Sequence, residues 1–376
     1  GQEWEFERFL ALGRSPAEAL GVAASHAGPV GKLKARVRDA AGHAVSGAVL
    51  TIQRGDESIP AYAGEDGLIE IDFPEGSYRL TAHDFGRDTA RQEIRIVQGE
   101  ATSAEFTLSA RSGIALNITD GEGRDLPCKA QFIGAGGTPS PNLGPANRAH
   151  GCKDQYHSET GEFWVPLAPG RYRVIVTHGV EFSHLIREVT VAAGETARVT
   201  GQLARLVDTR GWVSADYHNH STPSGDNTTG TDDRIINLAA EQIEFAPTTE
   251  HNRLYDWRPH IQKLGLTRHL NTVSGIELTG SGPHLNSFPF HPHPHVQDNG
   301  APVWNRDPRI SAILLRSHQE PNPDRYIQIN HPDLVENFID SNKDGLADGG
   351  YIGLGQLIDA VEVQNFSDSS ILSLKP

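Results

Sequence analysis

Several features are scarce in this chain of 376 residues, and each scarcity excludes something. Methionine is absent, so we expect that a leader was removed or that part of the native chain is missing. No apolar run reaches the ~18 residues typical of a membrane-spanning helix, so no membrane span is expected. Basic residues number 33 against 48 acidic ones, which gives a net charge of −15. Because so acidic a surface repels phosphate backbones, nucleic acid is not an expected partner.

Cysteine is also scarce, with only Cys128 and Cys152 present. Two thiols are too few for a cysteine-based zinc site or a disulfide scaffold. Two alternatives stay open: the thiols are unlinked, or they form one loop-closing disulfide, which would indicate an oxidising compartment.

The start of the chain favours helices. Trp4, Phe6 and Phe9 place apolar side chains close together, and Ser15-Pro16 is a typical start of a second short helix. We therefore expect residues 1–29 to form a helical segment.

The middle of the chain shows the pattern of short β-strands. Runs such as 32–38 and 68–73 alternate apolar and polar side chains and are separated by Gly, Asp and Pro turns. The pattern also repeats, because Gly76-Ser-Tyr-Arg79 recurs as Gly170-Arg-Tyr-Arg173. A repeat with this many short strands predicts two tandem all-β sandwiches.

We place the two sandwich modules at residues 30–109 and 110–206. They resemble carboxypeptidase-regulatory-like or fibronectin-type modules. One interpretation is that they bind a glycan or a protein partner; the other is that they are structural spacers packed on a following enzyme. The second is favoured because neither module shows an aromatic platform or a titratable cluster. The acidic composition, the absent methionine and the sandwiches together predict a periplasmic or secreted protein.

After residue 207 the pattern changes to alternating strands and helices. Residues 212–217 and 244–249 are predicted strands, and an amphipathic helix is predicted at 233–243 between them. Repeated units of this kind predict an α/β domain with a parallel sheet or barrel over residues 207–376.

Metal-ligand side chains follow the predicted strands of this last region. Such groups converge at one edge when parallel strands end together, which is where α/β enzymes place their chemistry. The candidates are His218, His220, His251, Glu277, His284 and His331. Imidazoles with a carboxylate and no thiolate suit Zn, Mn or Fe.

These motifs resemble the PHP (polymerase and histidinol phosphatase) metallohydrolase superfamily. The carrying residues are Asp216-Tyr-His218-Asn-His220 with Asp226, Thr249-Glu-His251-Asn, Gly275-Ile-Glu277, His284-Leu-Asn and Asn330-His331-Pro. The Thr-Glu-His-Asn variant and the segment 358–365 are more similar to its carbaryl-hydrolase branch. The likeness covers roughly residues 207–376.

The resemblance implies a distorted (β/α)7 barrel with two or three divalent metal ions at one face. It implies a first metal on His218, His220 and Glu277. Glu277 would then bridge to a second metal on His284 and His331. A third would be held by Asp226 and His251. The family's late Asp-x-His motif has no counterpart after His331, so we expect the barrel to be C-terminally incomplete.

The function implied is hydrolysis of an ester, carbamate or amide bond by a metal-bridging hydroxide. His218, His220, Glu277 and Arg253 are the predicted catalytic residues. One alternative is a phosphoesterase, in which Arg253 and Arg258 neutralise phosphate charge. The other is a secreted carbohydrate- or protein-binding protein with an inactive barrel. The expected partner is a small-molecule ester, carbamate or phosphoester, and the sequence allows a homo-oligomer.

Two further motifs are candidate cation sites. His291-Pro-His293-Pro-His295 is a histidine-rich tract that proline holds extended, which disfavours a catalytic metal site. A second motif has the oxygen-ligand spacing of a calcium loop, with Gly345 at position six but Tyr351 at position twelve, so it is not a complete EF-hand. Its candidate calcium ligands are Asp340, Asn342, Asp344, Leu346 and Asp348. The alternative is an ordinary Asp/Asn/Gly turn.

Overall fold

The computed structural model describes residues 3–13, 16–280, 284–318, 325–331, 343 and 354–362. The helices are α1 (Pro16–Ala27), α2 (Thr231–Ala240), α3 (Arg258–Lys263) and α4 (Pro308–Ser317). No helix in these ranges has the length and apolar character needed to cross a bilayer.

The first module is a β-sandwich. Its strands are β1 (Val30–Asp39), β2 (Val49–Arg54), β3 (Glu57–Tyr62), β4 (Leu68–Pro74), β5 (Gly76–His83), β6 (Ala90–Ile96) and β7 (Ala101–Leu108). They form one sheet in the order β4-β1-β7 and a second in the order β3-β2-β5-β6. Alternate residues of β1, such as Leu33 and Val37, are buried between the two sheets. This period of two makes one face of each strand apolar, and the β-sandwich prediction is confirmed.

The second module repeats this architecture. Its strands are β8 (Gly113–Asp120), β9 (Cys128–Ala135), β10 (Gln155–Ser158), β11 (Glu162–Pro166), β12 (Gly170–Thr177), β13 (Leu185–Val191) and β14 (Thr196–Leu203). The sheets are ordered β11-β8-β14 and β10-β9-β12-β13. In both modules the first strand pairs in parallel with the last, β1 with β7 and β8 with β14.

The repeated tyrosine has the same structural role in both copies. Tyr78 donates its hydroxyl hydrogen bond to the Pro74 carbonyl at 2.9 Å, and Tyr172 donates to the Ala168 carbonyl at 2.8 Å. Each ring is buried in its module's core, and each hydroxyl fixes the turn that precedes its strand. The Gly-x-Tyr-Arg repeat is therefore a packing and turn signature.

The start of the chain matches the helical prediction only in part: the helix predicted to start at Ser15-Pro16 is α1, which begins at Pro16. Residues 3–13 contain neither helix nor strand, and the first helix is α1. Trp4 is 76% exposed and Phe6 79%, so these side chains gain little from burial that would stabilise a helix. Only α1 packs on the first module, where Leu20 contacts its core.

The two cysteines are unlinked. Cys128 is buried in the second core, where burial raises the pKa of its thiol to about 12. Cys152 is partly exposed, and its thiol contacts the Ala146 carbonyl.

The region after residue 207 corrects the barrel prediction. Its strands are β15 (Ile276–Leu278), β16 (Leu285–Phe288), β17 (Tyr326–Ile329) and β18 (Ala360–Val361). They form one four-stranded sheet in which β15, β16 and β17 pair antiparallel and only β17 and β18 pair in parallel. With small sheets throughout and four α-helices in the described residues, the predicted α/β (β/α)7 barrel is wrong.

The predicted strands at 212–217 and 244–249 explain the error. They are reduced to single parallel bridges, such as Ala215 with Phe245. Side chains compete there for the backbone: Asp216 accepts a bond from the His218 amide at 3.1 Å, and Thr249 Oγ1 accepts one from the Asn219 amide at 2.6 Å. A short backbone ladder still forms, since the Asp216 amide donates to the Phe245 carbonyl at 3.0 Å, but the side-chain bonds end it at residues 218 and 219.

The second module packs directly on the region that follows it. Asp233 of α2 accepts a hydrogen bond from the Ala149 amide at 2.7 Å, and Lys129 pairs with Glu241 just after the helix. Ala149 is fully buried in the cluster formed by the apolar face of α2. The interface therefore holds the second module against the helix that precedes the 244–251 segment.

His178, which follows β12, predicts an acid sensitivity of this interface. It is 1% exposed, and burial lowers the pKa of its imidazole from 6.5 to about 4. Between these pH values the unfolded chain binds more protons than the folded chain. We therefore expect the free energy of unfolding to fall by up to about 3 kcal/mol as the pH drops from 6.5 to below 4.

Urea unfolding of wild type and His178→Gln at pH 7.5 and 4.5 measures this effect, because glutamine cannot take up the proton. Exposed His43→Gln is the matched control. An equal pH dependence in wild type and His178→Gln would contradict the assignment.

Candidate metal centre

Glu277 of β15 is the centre of a histidine cluster. Its side chain is fully buried. Oε1 lies 3.5 Å from His218 Nε2, 3.1 Å from His284 Nδ1 and 3.4 Å from His331 Nε2. Oε2 lies 3.1 Å from His220 Nε2 and 2.9 Å from His251 Nδ1. One buried carboxylate therefore faces five imidazoles.

The backbone brings these side chains together from distant parts of the chain. His251 and Glu277 form a parallel bridge, and β16 places His284 just before its first residue. His331 follows β17, and its backbone adopts a positive φ of 61°. The backbone segments that carry His251, Glu277, His284 and His331 therefore meet at one end of the small sheet.

The donor atoms form two overlapping groups that suit metal ions. One contains His218, Glu277 and His331; the other contains His220, His251 and Glu277. Within each group the ligand atoms lie within 4.8 Å of one another. Because Glu277 belongs to both, it is placed to bridge two cations.

Both pairs that the sequence expectation joined lie close together: the Nε2 atoms of His218 and His220 are 2.9 Å apart, and His284 Nδ1 is 3.2 Å from His331 Nε2. The three-residue groups differ from that expectation, because His331 lies with His218 and His251 lies with His220. Asp226 reaches the cluster through His251 Nε2, at 3.1 Å, and is 67% exposed. All seven predicted metal ligands thus lie in one connected cluster.

The electrostatics of the cluster match its geometry. Burial alone would raise the pKa of Glu277, but the surrounding histidines, His218 first, hold it far below its ordinary value. Burial would likewise lower the pKa of His218, yet Glu277 and Glu362 outweigh it and raise that pKa to about 9. The nearby Glu277 carboxylate is the main cause that raises the pKa of His251. The cluster therefore favours positive charge around one fixed anion.

Glu250 positions His220 indirectly, through Ser224. Glu250 was assigned no functional role from the sequence. It is fully buried and accepts hydrogen bonds from the Ser221 amide at 3.0 Å and from the hydroxyls of Ser221 and Ser224. Ser224 Oγ in turn lies 2.9 Å from His220 Nδ1. Because the Ser224 hydroxyl donates to Glu250, it accepts from Nδ1–H, which leaves His220 Nε2 free as a ligand.

Glu362 positions His218 through a direct contact, and this residue was assigned no functional role from the sequence either. Its Oε1 lies 2.8 Å from His218 Nδ1, and its Oε2 accepts a hydrogen bond from the His331 amide at 2.8 Å. Asn330 donates to Glu277 Oε1 at 2.9 Å. The available signal was membership of the motifs: Glu362 lies in the segment 358–365, and Asn330 directly precedes His331.

Arg253, predicted to be catalytic, follows the ligand candidate His251 by two positions in the chain. It is 44% exposed and pairs with Asp298 at 3.4 Å. Together with Thr222 and Tyr255 it lines a 430 Å³ pocket. Arg258 is held by its neighbour Asp256, at 2.8 Å.

The other candidate cation sites are not part of the cluster. His291, His293 and His295 are exposed, and they belong to neither metal-ligand group found in the described residues. The predicted calcium ligands lie outside the described residues. These are Asp340, Asn342, Asp344, Leu346 and Asp348.

Comparison with known proteins gives no family for this chain. No family model and no curated protein matches it. Among solved structures, the Bacillus anthracis TIE protein is 15% identical, with 47% of this chain and 34% of that chain covered and a TM-score of 0.22. The Streptococcal ancillary pilin is 15% identical, with 47% and 62% covered and a TM-score of 0.29. A variant of the shaft pilin spaA from Lactobacillus rhamnosus GG is 10% identical, with 47% and 99% covered and a TM-score of 0.30.

The chain thus spans about a third of the first of these proteins and under two thirds of the second. At such TM-scores the likenesses carry no argument about what this chain does.

Proposed function

We propose that this chain is a metal-dependent hydrolase that cleaves an ester, carbamate or amide bond of a small molecule. The observation that carries the proposal is Glu277, a buried carboxylate shared by two groups of histidine donors. The motif resemblance to the PHP metallohydrolases supports the same chemistry. The predicted periplasmic or secreted location stays a prediction.

The donor set fits divalent cations. Glu277 Oε2 is buried and has no hydrogen-bond partner of acceptable geometry, although two imidazole nitrogens lie within 3.1 Å. An orphaned buried oxygen is costly unless something positive binds it. Imidazole nitrogens and one carboxylate, without thiolate, suit Zn, Mn or Fe.

The residues of the cluster would divide into cation ligands, groups that orient those ligands, and groups on the open side. His218, His331 and Glu277 would hold one cation, and His220, His251 and Glu277 the other. Cations held by these residues would lower the pKa of bound water and polarise the bond to be cleaved. Glu362 and Ser224 orient the ligand rings of His218 and His220, so that their Nε2 atoms face Glu277. Partly exposed His331 and Asp226 mark the side open to substrate.

The arginines favour an ester, carbamate or amide over a phosphoester. A phosphoryl group needs free positive charge beside the reacting centre. Arg253 is engaged by Asp298 and Arg258 by Asp256, so each guanidinium already faces a carboxylate. A carbamate or aryl ester, with its good leaving group, needs less such help.

The test begins with protein stripped by a chelator and reloaded with Zn, Mn or Fe. We expect about two equivalents of metal to bind and to restore hydrolysis of p-nitrophenyl acetate or a p-nitrophenyl carbamate. Hydrolysis of p-nitrophenyl phosphate should be much slower. Metal binding without turnover of any substrate would overturn the proposal, as would turnover that survives removal of all metal.

A further inference from the structure

The outer face of the sheet β11-β8-β14 in the second module points away from the core. Its residues lie in two rungs across the three strands. Trp164, Ala115 and Arg198 form one rung. Glu162, Asn117 and Thr200 form the next. The inward neighbours, including Leu116 and Val165, are buried, so this alternation leaves the two rungs facing outward.

Trp164 has a fixed position on this face. Its ring lies against the backbone of Gly113, because a Cβ built there would come within 2.6 Å of ring atoms Cε2 and Cζ2. Its indole N–H donates to Thr196 Oγ1 on the far strand, at 3.3 Å. The ring therefore reaches from β11 across β8 to β14, and 36% of the residue remains exposed. Glycine is required at position 113 for this crossing.

The indole borders a groove of 310 Å³. Short side chains form its floor, and polar side chains form its two walls. Ala115 and Asn117 of the central strand form the floor, between Glu162 on one side and Arg198 and Thr200 on the other. Within the described part of the chain, neither Glu162 nor Arg198 forms a side-chain ion pair with another residue. Both side chains are exposed and free to contact a ligand.

We propose that this groove binds a neutral polysaccharide. The apolar face of a sugar ring stacks on an indole held in one orientation, and its hydroxyls pair with planar polar groups such as carboxylate, amide and guanidinium. Trp164 supplies the first element, and Glu162, Asn117 and Arg198 supply the second. In the sequence neither module showed an aromatic platform; the proposal places one in the second module.

The composition of the groove and the net charge of the chain limit the chemical class of the ligand. Besides the indole, its outward lining is small or polar, whereas a peptide-binding groove needs apolar pockets for side chains. A net charge of −15 disfavours uronic or sulfated polymers. This site is independent of the proposed hydrolase centre.

The experiment uses the full chain in native gels that contain xylan, barley β-glucan, glucomannan or starch. We expect retardation in at least one gel, loss of at least nine tenths of that retardation in Trp164→Ala, and partial retention in Trp164→Phe. Trp212→Ala is the matched control, because Trp212 is 80% exposed outside the groove. Arg198→Ala should weaken retardation without abolishing it.

Metal content and esterase rate should be unchanged in all four variants, and thermal melting confirms that each is folded. Absence of retardation in every gel would overturn the proposal. Equal retardation of wild type and Trp164→Ala, or equal losses in Trp164→Ala and Trp212→Ala, would overturn it as well.

Discussion

Glu277→Gln is expected to remove at least one of two bound cations and to lower hydrolysis by at least about 10²–10³-fold, the loss seen when a single preorganised hydrogen-bond donor is deleted from an active site. The amide keeps the shape of the side chain, so the fold should survive. It cannot, however, give an anionic oxygen to both donor groups. Metal stoichiometry by plasma emission and the rate with p-nitrophenyl acetate measure both effects.

His293→Ala is the control for Glu277→Gln. His293 lies in the exposed proline-interleaved tract, so metal content and rate should stay at the wild-type level. Circular dichroism of both variants checks the fold. Full metal content with normal turnover in Glu277→Gln would show that the cluster is not the reacting centre.

Glu250→Gln should have the second largest effect, although Glu250 is not a predicted ligand. Its buried carboxylate holds Ser221 and Ser224, and Ser224 orients His220. We expect metal affinity to fall about 10–100-fold, as for other groups that orient a ligand histidine. The free energy of unfolding should fall by about 1.5–3 kcal/mol, because hydrogen bonds to a buried charge are lost.

Ser224→Ala separates the two consequences. It breaks the link to His220 but leaves Glu250 bonded to Ser221, so metal affinity should fall with a smaller loss of stability. Glu122→Gln is the control: Glu122 pairs with Arg124 on the exposed surface, so this substitution should change neither metal affinity nor the free energy of unfolding. If Glu250→Gln lowered stability while metal affinity stayed normal, the residue would be structural only.

The sandwiches could be predicted because the patterns that indicate them lie in residues close together in the sequence. Alternation within β1 and the tyrosine repeat at Tyr78 and Tyr172 each involve neighbouring residues, and both correspond to observed packing. The barrel prediction was wrong because periodicity cannot show strand direction. The β15–β16 pair is antiparallel, and side chains such as Thr249 bond the backbone where a ladder was expected.

The candidate site divides in the same way. Histidines and Glu277 could be found because their side-chain types are themselves the signal. Glu250 and Glu362 could not, since a carboxylate becomes a support only through its neighbours: Glu362 meets His218 across 144 positions of sequence. Likewise, alternation predicts that Trp164 faces outward, but only the fold places Gly113 beneath its ring.

The parallel pairing of the first and last strand in each sandwich determines how the chain responds to tension. In the first module, a pull on its two ends would draw β1 and β7 in opposite directions along their shared ladder, from Lys32–Ala101 to Asp39–Leu108. The rungs of that ladder would resist together, whereas a hairpin peeled from its end loses its rungs in turn. β8 and β14 repeat the arrangement from Gly113–Thr196 to Asp120–Leu203. In both modules, a force along the chain would therefore load the terminal strands in shear. The two modules follow one another in the chain, before the histidine cluster.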